Sequence, residues 1–308
     1  MTSYLHLLQQ RNRVVTFFLF FFFSLVVATH LQAQQVEEAA PAKSCLWVVE
    51  TESTRVFLLG SLHVLKSSAY PLAAEIDRAY ASSQRLVFET NLGAMMEPDI
   101  QAKMMESGVY PEGQDLFQNI SGATRKNLEK KLQDLGLPPA YFSRFKPWFL
   151  AVTLTTLELQ RLGFNPLYGI DLHFYTKAQN DEKELGYLET VEYQLNLLGK
   201  MDAQDQNSFL TQTLKDLVIS AQLADDMMTA WQNGDADGLY ALLFKSFEDH
   251  PGIEDRLLTR RNKDWIQQIE KMLQAPKTTM VIVGAGHLIG PAGLVELLKQ
   301  KGYQVKQK

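Results

Sequence analysis

The sequence predicts an α/β fold, or its α+β variant: a central mixed or parallel sheet assembled from both chain ends, covered by helices and carrying a large helical insertion. Three observations lead there. Short β-branched apolar runs stand near the start (46–62), at 85–90, at 184–190 and at the end (278–284 and 303–305), with helical periodicity between them. Two of the runs, RVFLLGSLHV (55–64) and TTMVIVGAGH (278–287), finish in the same Gly-x-x-His pattern. Two others, RLVFET and ELGYLET, finish in Glu-Thr.

Taken in order, the chain opens with Arg11 and Arg13 ahead of an apolar run from Val14 to Ala28, broken only by Thr16 and Ser24. That is a secretory signal pattern, since the run is shorter than the roughly 20 residues that span a bilayer and small residues follow at Ala28 and Ala33. Residues 1–33 are therefore expected to be removed, making the protein periplasmic or secreted without a stable membrane span; an N-terminal membrane anchor is the alternative. A polar linker, 34–44, precedes one domain over 45–308. LWVVE and RVFLLGSL, joined by the polar turn Thr51 to Thr54, read as a hairpin. Leu72, Ile76, Ala79 and Tyr80 keep helical spacing up to the strand that ends at Glu89. A helical lobe is expected over about 95–165 and 195–275, with Phe149, Val152, Leu154, Leu157 and Leu162 marking a core helix. TTMVIVG, PAGLVELLKQKG and YQV close the chain as strand, helix and strand.

Bulk composition narrows the function classes. Without residues 1–33, which carry two arginines and no acid, 28 basic residues face 35 acidic ones, a formal charge of −7. No basic stripe is present to displace phosphate counterions, so a nucleic-acid partner is not expected. Cys45 is the only cysteine, which leaves a free thiol or a contact between two chains. The oligomeric state is not written in the sequence.

The Gly-x-x-His runs carry the chemistry. A glycine lets the backbone turn as a strand leaves a sheet, which places the imidazole over the strand ends, where open α/β sheets bind ligands. Neutral imidazole ligates divalent transition metals, and carboxylates complete such centres. His63 and His287 with Glu89 and Glu189 would make a centre with an open position for water, whose pKa the metal lowers; one glutamate would ligate and the other act as general base. Each glutamate has a second reading as the cap of the following helix, in FETN and LETVEYQ. Arg261 and Asn262 are either solvated or reach toward an anionic substrate or oxyanion; the solvated face is the default. His173 is assigned to a helix and His250 to a turn. GAGHLIG is not a dinucleotide loop, because its third glycine is one residue late and no acid follows about 20 residues on. The methionine pairs at 95–96, 104–105 and 227–228 are read as core packing.

Several stretches together resemble the TraB/GumN family, whose Tiki members are metalloproteases. They are LWVVE, VFLLGSLHV, LVFET, KPW (146–148), GIDLHF (169–174), LET followed by Gln194, RRN (260–262) and VGAGHLIGPAGLVELLKQKGYQV. The first motif is GSLH where the family more often has GTxH. The resemblance implies a fold like the erythromycin-esterase and ChaN-like group. It also implies that His63, His287 and Glu89 are metal ligands or catalytic groups, with Glu189 next. The expectation is an exported metal-dependent hydrolase, with metalloprotease-like peptidase activity as one form of it. It would use Mn, Co or Zn, with Glu89, Glu189 and Arg261 as catalytic groups, on a peptide or small-molecule substrate. Its rival is a non-catalytic accessory protein that binds envelope polysaccharide.

Overall fold

In the computed structural model the described residues are 43–218, 220–247 and 251–308. The expected signal segment, the linker up to residue 42, and His250 lie outside them. Strands β1 (Leu46–Glu50), β2 (Arg55–Ser61), β3 (Arg85–Phe88), β4 (Glu184–Tyr187), β5 (Thr279–Gly284) and β6 (Val305–Gln307) form one sheet in the order β4-β3-β5-β2-β1-β6. The first two make the expected antiparallel hairpin, with Val48 opposite Phe57. β4, β3, β5 and β2 run parallel, and β6 closes the far edge antiparallel to β1. The sheet is therefore mixed and drawn from both ends of the chain.

Parallel strands are covered on both faces, so they read as unbroken apolar runs. Val56, Leu58, Leu59, Leu86, Val87, Met280 and Val281 are all fully buried. Their cover includes the helices Ala74–Ser82, Ile170–Asn180, Arg260–Gln274 and Leu294–Gln300, whose Ile76, Phe174, Trp265 and Leu298 join the same core. Strand ends fell short of the sequence reading: β3 stops at Phe88 and β4 at Tyr187, which leaves Glu89 and Glu189 just past the ladder. β6 begins at Val305 and not at Tyr303.

The helical stretches between β3 and β5 build a second core of their own. Leu128 and Leu132 of the helix Gly122–Asp134 meet Leu150 and Leu154 of the helix Pro147–Arg161, and Leu210 and Leu214 of the helix Ala203–Asp216. The helix Pro147–Arg161 buries Pro147, Trp148, Leu150, Ala151, Leu154 and Glu158, so Val152, expected inside, is 40% exposed. Glu158 is buried there against Lys131 Nζ at 3.0 Å and Arg161 Nη2 at 2.5 Å, an ion group that ties the helix Pro147–Arg161 to the helix Gly122–Asp134.

Cys45 is a free thiol, fully buried, and burial pushes its pKa up to about 12. Its sulfur lies inside the fold and not on the surface where chains would meet. The carboxyl ends of the four parallel strands lie along one edge of the sheet, with Ser61 beside Gly284 and Phe88 beside Tyr187.

Candidate functional site

Each of the four parallel strands delivers one expected residue to that edge. His63 follows β2, Glu89 follows β3, Glu189 follows β4, and His287 ends the short 3-10 turn after β5. The backbone links β3 and β4 past their ends through Glu189 N–H to Glu89 carbonyl, 2.8 Å. Gly284 is the centre of the arrangement. A methyl carbon placed on it would stand 3.2 Å from Glu89 Oε1, 3.6 Å from His63 Nε2 and 3.7 Å from His287 Cδ2. Two imidazoles and a carboxylate from three strands thus face one point.

The motif glycines serve close approach, not backbone freedom, which corrects the reason given by the sequence. Neither Gly60 nor Gly284 has a positive φ. A side chain on Gly60 would meet the Ala285 Cα at 3.1 Å, so the first motif packs directly onto the second. One on Gly284 would fill the space the three site groups face.

Arg261 ties the site together from the helix Arg260–Gln274. Its Nε donates to Glu189 Oε1 at 2.9 Å, and its Nη2 donates to Glu189 Oε2 at 2.8 Å and Glu89 Oε2 at 2.6 Å. Nη1 donates to the Leu257 carbonyl at 2.8 Å and to His287 Nε2 at 2.9 Å. All five guanidinium N–H groups are therefore engaged. The five-residue π-helix Asp255–Thr259 runs directly into this helix and contains Leu257, the carbonyl that Nη1 reaches; wide turns of this kind are frequent at functional sites. The guanidinium lies over the Trp265 ring at 4.7 Å, and Trp265 Nε1 donates to Glu189 Oε1 at 2.9 Å.

Hydrogen bonding fixes the state of each imidazole. Asn262 donates to the Ala292 carbonyl at 2.8 Å, so its Oδ1 accepts from His287 Nδ1 at 2.7 Å. That leaves His287 Nε2 with its lone pair, which takes the Arg261 N–H. Burial pushes the His287 imidazole down to about 3, so the ring is neutral at pH 7. His63 is the opposite case: exposed, with Nδ1 3.1 Å from Asp171 Oδ1, whose charge raises it to about 9. Burial pushes the Glu89 carboxyl up, but His287 once protonated in acid, Arg261, His63 and the Gly284 N–H at 2.7 Å pull it down further, to about 2. With His287 neutral, Arg261 is the buried cation that keeps Glu89 ionised at pH 7.

The structure brings His63, Glu89, Glu189, Arg261 and His287 together. His173 lies in the helix Ile170–Asn180, as expected, with its ring 5.2 Å from Tyr70 and 4.8 Å from Phe174. Capping is overturned as the role of the glutamates: Thr190 caps the helix Val191–Gly199, and Glu89 accepts from a strand-end N–H. The solvated default for Arg261 and Asn262 is overturned as well, since they are 6% and 1% exposed. A readable signal existed, because Trp265, Ile269 and Leu273 follow Arg261 at steps of four, putting a charge on an apolar stripe. Asp171 and Gln194, which donates to Glu89 Oε2 at 3.2 Å, had no assigned role; 108 residues separate Asp171 from His63, and no spacing announces such a pair. A cavity of ≈ 170 Å3 adjoins Asn262 and Gly286 behind the second motif, lined by Tyr240, Phe244 and Leu258. None of the five converging residues lines it, so it is not the cleft they face.

The profile of the TraB/PrgY/gumN family matches residues 45–307, from β1 through β6. The chain belongs to the TraB/PrgY/gumN family. Among relatives in this family, YbaP of Escherichia coli K12 is 26% identical over 242 residues, covering 79% of this chain and 87% of its own length. A metalloprotease TIKI homolog of Nematostella vectensis is 22% identical, covering 95% of this chain and 74% of its own. The metalloprotease TIKI2 of Danio rerio is likewise 22% identical, with 90% and 64% covered. No solved structure matches the chain. Among the described residues, no helix is long and apolar enough to cross a membrane.

Proposed function

We propose that this family member is an exported hydrolase, with peptides as the first substrate class to test, acting where His63, Glu89 and His287 face Gly284. The observation that carries the reading is that convergence: two imidazoles and a carboxylate from three separate strands within 3.7 Å of one point. Distant relatives named metalloproteases support it from outside the molecule. The apolar leader before residue 34 supports export.

Mn, Co or Zn is the proposed cofactor. The donor types suit such a metal; their packing does not. Among the described residues no group of three or more His, Cys, Asp or Glu side chains stands as a ready cage. The His287 Nε2 lone pair and Glu89 Oε2 are taken by Arg261. When bound, a metal of this kind supplies an acidified water as nucleophile.

The chain's own residues have roles that follow from their partners. Asp171 holds His63 Nδ1 and leaves Nε2 facing the site. Asn262 fixes the His287 tautomer so that Nε2 carries the lone pair. Glu89 is the carboxylate at the reacting point, kept ionised by Arg261, while Glu189 anchors Arg261 with both oxygens.

The test uses purified mature protein, a peptide library and metal analysis, with wild type compared to His63→Ala and His287→Ala. The reading predicts chelator-sensitive cleavage by wild type alone and metal loss in both variants. Equal metal content in all three defeats it, and polysaccharide binding unchanged by EDTA in calorimetry would favour the accessory-protein reading.

A further inference from the structure

The disagreement between donor types and packing points to a specific device. We infer that Arg261 is an internal cation standing in for the metal: a divalent cation binds this site only by displacing the guanidinium from His287 Nε2 and Glu89. The inference rests on the metal-dependent reading above.

Three facts support an exchange over a permanent structural ion pair. The atoms Arg261 engages are the site's strongest donors: Nη1 takes the only free lone pair of His287, at 2.9 Å, and Nη2 takes Glu89 Oε2, at 2.6 Å. Secondly, the site keeps an anionic excess: three carboxylates, Glu89, Glu189 and Asp171, stand against two basic groups, Arg261 and His63. Close like charges at low dielectric draw in whatever cation reaches them. Lastly, the guanidinium has somewhere to stay. Its Nε bond to Glu189 at 2.9 Å and its stacking on Trp265 at 4.7 Å involve neither His287 nor Glu89. Losing Nη1 and one Nη2 hydrogen bond therefore leaves Arg261 anchored to Glu189, and no buried charge is stranded.

An arginine that merely supported the site would be needed for metal binding; one that competes would hinder it. The two roles predict opposite signs. Co(II) is the probe, titrated into full-length mature protein by calorimetry and visible absorption, for wild type, Arg261→Met and Arg261→Lys. Arg261→Met is expected to bind Co(II) about tenfold tighter or more, by the removal of one nearby positive charge. Arg261→Lys, which keeps the charge but cannot make the fork of five donors, falls between. Weaker binding by both variants, with folded circular dichroism spectra retained, overturns the inference and leaves the metal reading intact. Absence of Co(II) binding by every protein, wild type included, overturns both.

A second measurement needs no variant to fold. In wild type labelled with 15N-arginine, added Zn(II) is expected to shift the Arg261 Nε resonance and speed exchange of its Nη hydrogens. Zn(II) binding that leaves this resonance unmoved overturns the exchange.

Discussion

The two Gly-x-x-His turns leave neighbouring parallel strands with identical spacing, yet they deliver opposite histidines. His63 is exposed and pulled toward its cationic form by Asp171; His287 is 3% exposed, pushed toward neutrality by burial, and held between Asn262 and Arg261. The motif sets where the backbone puts a ring. What the ring becomes depends on side chains that arrive from elsewhere, Asp171 in one case and Asn262 with Arg261 in the other. The lesson is that a pair of matched motifs need not make a symmetric pair of groups.

Breaking each histidine in turn gives the largest contrast. His287→Ala removes a buried ring packed 4.3 Å from Trp265 and leaves Asn262 Oδ1 and one Arg261 N–H without partners. It is expected to cost about 3 kcal/mol in urea unfolding. His63→Ala is expected to cost less than about 1 kcal/mol, although both variants lose activity. Equal destabilisation would break the comparison.

The pH dependence should show the same asymmetry. His287 takes up a proton near 6.5 when unfolded but only near about 3 when folded, so its contribution to stability falls as pH drops through that window. Glu89, lowered from 4.5 to about 2, adds a further loss at the acid end. His63 acts the other way: its contribution is full below 6.5 and is lost as pH rises through about 9. Thermal melts from pH 3 to 10 should fall at both ends, and His63→Ala should flatten only the alkaline limb.

The motif glycines offer a smaller contrast. Gly60→Ala presses on the Ala285 backbone at 3.1 Å, a contact that does not yield, and should cost about 1 to 2 kcal/mol. Gly284→Ala meets Glu89 Oε1 at 3.2 Å and occupies the point the site groups face, so it should disturb activity more than stability. The smallest effect belongs to Asp171→Asn, which should bring the His63 titration, followed by NMR, down from about 9 toward 6.5. Because His63 is exposed, solvent screening discounts that shift, and stability below pH 6.5 should fall by no more than for His63→Ala, less than about 1 kcal/mol.

Strand-to-strand logic was readable in the sequence because parallel strands with both faces covered leave long apolar runs, and RVFLLGS, RLVF and TMVIVG fall where such runs predict. His63, Glu89, Glu189 and His287 were readable because the carboxyl ends of parallel strands share one edge. Asp171 was not, since a helix N-terminus 108 residues away reaches His63 only through the fold. Arg261 was half legible: its place on an apolar stripe is visible, but not that it would bond both glutamates and His287. Val152 was misread because the helix Pro147–Arg161 buries Leu150, Ala151, Leu154 and Glu158, and a charged residue there hides the stripe from a hydrophobic count.

One measurement goes straight to the claim that the two motif histidines share a site. Zn(II) affinity is compared in wild type, His63→Ala, His287→Ala and the double variant. A shared site makes the losses strongly non-additive, the double variant binding no more than about threefold more weakly than the worse single one. Losses that simply add would mean two separate sites and contradict the account.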